Sequence, residues 1–128
     1  MEILRHPNIV LFIGACTKPP HLGLVLEYCS QGSLWSVLQN PDKTLAWEDR
    51  KKIAMDTAKG VFYLHSFKPP ILHRDLKSLN LLLDDSWRTK LIDFGWTRNL
   101  DVKMTGKIGN FMIILSENAA KLYKNLIK

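Results

Sequence analysis

The sequence predicts an α+β fold, on three observations. Two β-branched or apolar runs, "NIVLFIGACT" (8–17) and "HLGLVLEYC" (21–29), flank the connection Lys18-Pro19-Pro20. A long stretch over 47–66 carries apolar residues at helical spacing, and the short runs "ILH", "NLLLD" and "TKLID" follow it, each bounded by charged or turn residues. Strand-like, helical and again strand-like segments along one chain suit a small sheet joined to a helical layer.

Each element has a local cause. Proline cannot donate to a sheet ladder, so the Pro-Pro step makes the first two runs antiparallel strands around a tight connection. In "SQGSLWSVLQNPD" the period changes. Ser33 is placed to cap a short helix with Leu34, Val37 and Leu38 on one face, and Pro41 ends it. Glu48 and Asp49 fall in the first turn of the 47–66 helix, where the helix dipole favours negative charge. Ile53, Ala54, Ala58, Val61 and Leu64 form its expected buried stripe, and Pro69-Pro70 stops it. The later apolar runs suit small strands framing polar loops. Residues 96–110 are polar and Gly-containing, which predicts a loop. In "SENAAKLYKNLI" (116–127), Ser116 is a cap and Ala119, Leu122, Tyr123, Leu126 and Ile127 give one apolar side of a helix.

Composition narrows the function classes. With 128 residues, 46% hydrophobic and 23% charged, the chain is an ordinary globular sequence able to bury about two-thirds of its unfolded surface. The net charge of +6 is spread along the chain. Its tightest cluster, Arg50-Lys51-Lys52, reads as the wet face of a helix, so no nucleic-acid partner is expected. The longest apolar run, "IVLFIGAC", is too short to cross a bilayer, and "MEILRHPN" has no signal-peptide core. Cys16 and Cys29 form no C-x-x-C pair. A cytoplasmic protein with no membrane partner is the expectation.

The chemistry concentrates in "ILHRDLKSLNLLLDDSWRTKLIDFG" (71–95). Asp75, Asn80 and Asp93 offer oxygen ligands suited to a hard cation such as Mg²⁺, which keeps several waters and bridges phosphates. Lys77 can neutralise a transferring phosphoryl group while a carboxylate orients or deprotonates an attacking hydroxyl. Taken singly, each of these residues reads as a solvated loop charge or a turn residue. Together, at this spacing, they point to phosphoryl transfer.

The run H-R-D-L-K-S-L-N followed by D-F-G resembles the catalytic and metal-binding loops of eukaryotic protein kinases. The resemblance extends over residues 1–111, and "RHPNIVLFIGAC" and "GSLWSVL" are most similar to the tyrosine-kinase-like, Raf-related group of Ser/Thr kinases. Lys77, two residues after the Asp, is the Ser/Thr form of the loop. The fold implied is a partial protein-kinase-like one, with two small-lobe strands above the helical large-lobe core. The resemblance makes Asp75 the base for the substrate hydroxyl, sets Lys77 on the γ-phosphate and gives Asn80 and Asp93 to Mg²⁺. Arg74 would pair with a phosphate on the activation loop, for which Thr105 is the natural acceptor and Thr97 a second one. Glu27, Tyr28 and Cys29 align with the hinge that reads adenine through its backbone; Leu26 falls at the gatekeeper position and Leu82 beneath the adenine ring. Read alone, Leu26 and Leu82 are core residues of any fold, and Cys29 an inert thiol.

The resemblance also has gaps. Within these residues no G-x-G-x-x-G precedes the hinge, and Lys18 is the lone Lys before it. After "MTGKIGNF" the stretch "MIILSENAAKLYKNLIK" matches nothing in the pattern, which sets a partial kinase domain at 1–111 and a divergent amphipathic tail at 112–128. The expectation is a kinase domain truncated at both ends. One implied function is an ATP- and Mg²⁺-dependent Ser/Thr kinase segment acting on protein substrates, inactive as an isolated chain. The alternative is a non-catalytic module that binds a partner kinase or a chaperone through its sheet edge and tail.

Overall fold

The computed structural model describes residues 4–93. Phe94 and Gly95, Thr97, Thr105 and the 112–128 tail lie outside the described residues.

The two predicted strands form, shorter than the apolar runs that contain them. Strand β1 (Phe12–Cys16) pairs antiparallel with β2 (Gly23–Leu26), from Phe12 opposite Leu26 to Cys16 opposite Gly23, with an irregularity between Phe12 and Gly14. The segment just before β1 belongs to a different neighbour. Ile9 bridges Leu91 in parallel, the Val10 N–H donates to the Leu91 carbonyl and the Leu91 N–H to the Asn8 carbonyl, each at 2.9 Å. One extended segment thus serves two sheets.

The second sheet has the order β3 (Gly32–Ser33), β4 (Leu81–Leu83), β5 (Thr89–Leu91), all antiparallel. The β4–β5 connection is built by Asp84, whose carboxylate accepts from the N–H groups of Ser86 and Arg88, both at 2.9 Å. Between β3 and β4 lie two helices. Helix α1 (Leu34–Gln39) is capped as expected: the Ser36 N–H donates to the Ser33 hydroxyl at 3.1 Å, and Leu34 and Val37 are buried. Helix α2 (Trp47–His65) begins where Asp49 accepts from the Ala46 N–H at 3.0 Å, with Glu48 and Asp49 in the first turn.

The buried face of α2 differs from the expected stripe. Ala54 and Ala58 are exposed, and Ile53, Asp56, Thr57, Gly60 and Leu64 are buried. Two polar residues can be inside because each has a partner. The Asp56 carboxylate accepts from the Thr89 N–H at 3.2 Å, and the Thr57 hydroxyl donates to the Ile53 carbonyl at 2.8 Å. Gly60 lets α2 approach the Asn8 carbonyl, just before β1, and the Leu91 side chain of β5. The core gathers Ile9, Leu34, Val37, Ile53, Leu64 and the β4–β5 leucines Leu81, Leu83 and Leu91 around this contact. Of the short apolar runs, "NLLLD" and "TKLID" supply β4 and β5, while "ILH" leads directly into the loop that precedes β4.

Candidate active site

The loop between α2 and β4 carries the predicted chemistry. It leaves the core at Leu72 and His73, both buried, and turns at Arg74, whose φ of 62° lies in the left-handed region. A non-glycine residue held there is strained, and such strain concentrates at functional sites. The turn is closed by the Asp75 N–H, which donates to the His73 carbonyl at 2.8 Å. Arg74 is exposed. A single 3₁₀ turn, Ser78–Asn80, then delivers the chain into β4.

Asp75, Lys77 and Asn80 form one cluster. The Lys77 ammonium lies 2.6 Å from the Asp75 carboxylate, and the Asn80 side-chain amide donates to the same carboxylate at 3.0 Å and to the Asp75 carbonyl at 2.8 Å. Hydrogen bonding from Lys77, and secondarily from Asn80, holds the Asp75 carboxyl below its ordinary range. It is therefore ionised at neutral pH, as a proton acceptor must be. Asn80 is buried, and its amide nitrogen is committed to Asp75, which aims its amide oxygen elsewhere.

The β4–β5 hairpin returns the chain to this cluster. The Ile92 N–H donates to the Asn80 carbonyl at 3.1 Å, which sets Asp93, the next residue, beside the loop. Asp93 is exposed and has a φ of 70°. The charges of Asp75 and Asp93 both act on His73, although burial dominates there and lowers the imidazole's proton affinity. Asp93 and the Asn80 oxygen are of the donor type a Mg²⁺ ion takes; among the described residues no group of three or more His, Cys, Asp or Glu makes a closed metal cage. The oxygen chemistry fits an ion that is shared with phosphates.

The residues expected at the hinge follow β2. Leu26 is half-buried at the strand's end, Tyr28 is exposed and Cys29 is buried, its thiol pushed up by burial and by Glu27. That protonated thiol is unreactive. The turn after Cys29 joins the β4–β5 hairpin, with the Gln31 N–H donating to the Leu83 carbonyl at 3.0 Å and Ser33 opposite Leu82. One residue was missed in the sequence reading. Lys90 is buried in β5 and paired with Glu27. Its signal was a Lys inside the short strand-like run "TKLID".

A profile described as "Protein kinase domain" matches residues 1–113. The chain is 51% identical over 98 residues to a probable serine/threonine-protein kinase, SIS8, of Arabidopsis thaliana, covering 77% of this chain and 10% of that protein. It is 51% identical over 100 residues to the serine/threonine-protein kinase CTR1 of Arabidopsis thaliana, covering 77% and 12%. A third relative, the probable serine/threonine-protein kinase drkA of Dictyostelium discoideum, is 50% identical over 95 residues, covering 74% and 15%. The chain belongs to the protein kinase family, as a segment similar to Ser/Thr kinases. It spans between 10% and 15% of the length of these three relatives.

Proposed function

We propose that this segment carries the hinge and catalytic loop of a Ser/Thr protein kinase that moves the γ-phosphoryl group of ATP to protein hydroxyls. The observation that carries the reading is the Asp75 carboxylate, held between the Lys77 ammonium and the Asn80 amide at 2.6 and 3.0 Å. In this reading Asp75 receives the proton of the attacking hydroxyl, and Lys77 exchanges its contact with Asp75 for the γ-phosphate as substrate enters. The Asn80 amide keeps the carboxylate aimed. The Asn80 oxygen and Asp93 would hold Mg²⁺, which when bound neutralises charge on the phosphates. The hinge backbone at Glu27–Cys29 would take adenine, with Leu82 beneath it and Leu26 behind.

Arg74, strained and exposed, is suited to pair with a phosphate at Thr105. The kinase segment is assigned to 1–111, with the tail at 112–128 a separate element, in a cytoplasmic protein.

These 128 residues alone are expected to bind Mg²⁺-nucleotide weakly, without sustained turnover. Transfer depends on holding the phosphates in line, and misplacement by about 1 Å already costs on the order of a hundredfold. No Gly-rich loop or strand Lys within these residues grips the α- and β-phosphates. Radiolabelled ATP with the purified chain and a protein substrate, with Asp75→Asn as control, tests this. Incorporation that vanishes in the control overturns the inactivity; no nucleotide binding at all overturns the hinge assignment.

A second reading has its own support. Ile13, Leu22, Leu24 and Val25 of the β1–β2 hairpin are each at least half exposed, an apolar surface suited to a protein partner such as a second kinase or a chaperone. Co-purification that is lost with Leu24→Lys would favour it.

A further inference from the structure

We propose that the 112–128 tail docks along the exposed side of α2, as a helix over 116–127, and covers an apolar stripe that the described residues leave bare. The inference does not depend on the nucleotide reading.

Helix α2 has two apolar sides. Ile53, Gly60 and Leu64 line the side turned to the core. Trp47, Ala54, Met55, Ala58 and Phe62 fall on the other, within an arc of about 100° at 3.6 residues per turn. All five are exposed, Trp47, Met55 and Phe62 to 56%, 59% and 75%. Between Trp47 and Phe62 the one charge on that arc is Lys51, which is bound to Glu48 at 2.6 Å. A surface helix turns charge to the water opposite its buried stripe. A helix that is apolar on both sides has the pattern of one enclosed on both.

The stripe has relief. Ala54 and Ala58, one turn apart, make a shallow strip with the larger Met55 and Phe62 beside it. Neighbouring helices pack by setting an i, i+4 ridge into such a groove. Leu122 and Leu126 are an i, i+4 pair, and Ala119, Tyr123 and Ile127 share their side of the expected tail helix. Glu117, Lys121, Lys124 and Lys128 all fall on the opposite side, which stays in water.

Reach and size both select this occupant. The Thr89 N–H bonds Asp56 in the middle of α2, so the chain leaves the described region within about 15 Å of the helix. Residues 94–115 can extend to about 70 Å, against a helix about 28 Å long and about 10–12 Å across. The three large side chains offer on the order of 300 Å², well short of the roughly 800 Å² that each partner gives to a stable interface. A tethered segment meets an effective concentration on the order of millimolar, and so needs less area than a second molecule.

The test compares the full chain with Phe62→Gln, Leu122→Gln, their double variant and Leu24→Lys, with melting showing each one folded. Ala58→Gln, which fills the strip with a good helix former, serves where Phe62→Gln does not fold. Amide hydrogen exchange across 119–126 and trypsin cleavage after Lys121 and Lys124 report docking, and sedimentation reports the oligomeric state. In the wild type these amides should be protected and both lysines cut slowly. Phe62→Gln or Leu122→Gln should quicken exchange there about tenfold, the scale of one lost buried apolar side chain. The double variant should exchange little faster than either single one, because both remove the same contact. Leu24→Lys, on the β1–β2 hairpin, should change nothing. An unprotected wild-type tail, protection indifferent to Phe62→Gln, additive losses in the double variant or protection lost with Leu24→Lys overturns the proposal. So does protection that rises with protein concentration as a dimer appears, which gives the stripe to a second copy.

Discussion

Asn80 holds Asp75 from two sides of one residue: a single amide nitrogen donates to the Asp75 carboxylate at 3.0 Å and to its carbonyl at 2.8 Å. The loop at Asp75 is thereby tied to the residue that leads into β4, five positions on. Asn80→Asp turns this donor into a second carboxylate against the first. Two like charges at this distance raise the proton affinity of the pair, and the Asp75 carbonyl loses its partner. The expected cost is about 1–3 kcal/mol at neutral pH, read from urea denaturation. The loss should shrink as pH falls from the pair's raised value toward the ordinary carboxyl value of about 4, because one carboxyl takes up a proton in that window. An Asn80→Asp chain as stable as wild type at pH 7 would show that the two bonds carry little.

Gly60 is the point where α2 touches β5. A Cβ there would lie 2.8 Å from the Asn8 carbonyl oxygen and 2.5 Å from a Leu91 methyl. The methyl can rotate away. The carbonyl cannot, because it accepts from the Leu91 N–H at 2.9 Å. Alanine is the better helix former by about 1 kcal/mol, while overpacking costs about 1–3 kcal/mol. Gly60→Ala is therefore expected to lower the melting temperature, and a raised one would contradict the close approach.

Much of the fold was legible because its causes are local. Ser33 as a cap, the acidic first turn of α2 and the β4–β5 hairpin follow from residues within a turn of one another. The Asp75–Asn80 cluster was legible for the same reason, its members lying five positions apart. The misses all depend on distant sequence. Ala54 and Ala58 satisfied the helical period, yet Asp56 and Thr57 face inward, because the Thr89 N–H, 33 residues away, supplies a partner for Asp56. The two-residue strand Gly32–Ser33 is too short to leave a period, and the Ile9–Leu91 bridge joins opposite ends of the described chain. Glu27 was placed at the hinge for its backbone. Nothing near it in sequence announces Lys90.

Three histidines give the stability a pH dependence of predictable sign. Burial depresses the proton affinity of His6, His65 and His73, and Lys59 and Lys90 add to the effect at His6. His6 also accepts the Asn8 N–H at Nδ1, at 3.0 Å, which requires that nitrogen to be unprotonated. The unfolded chain binds these protons first, near the usual imidazole value of about 6.5. The stability they contribute is fully present above that value and is lost as pH falls through the lower, folded values. The urea midpoint should therefore fall between about pH 7.5 and pH 5.5. His6→Gln, which keeps a hydrogen-bonding side chain that does not titrate, should flatten the slope; an unchanged slope would remove His6 from the account.

Thr89 carries the least expected polar atom of the core. The residue is fully buried in β5, and its hydroxyl finds no hydrogen-bond partner among the described residues. Its backbone, in contrast, is fully used: the N–H donates to Asp56 at 3.2 Å and the carbonyl accepts from the Asn8 side chain at 2.9 Å. The residue is thus held for its backbone and β-branched shape, and its oxygen bears an uncompensated desolvation of about 1–3 kcal/mol. Thr89→Val keeps the shape and both backbone bonds and exchanges the hydroxyl for a methyl. It should leave stability unchanged or raise it by about 1 kcal/mol. Thr89→Ala also removes the hydroxyl but opens a void, so it should destabilise, by roughly 1 kcal/mol or more. Opposite signs for the two variants in chemical denaturation identify the orphaned hydroxyl. If Thr89→Val costs as much as Thr89→Ala, the oxygen has a partner after all, and the residue belongs to a polar network linking β5 to a neighbour.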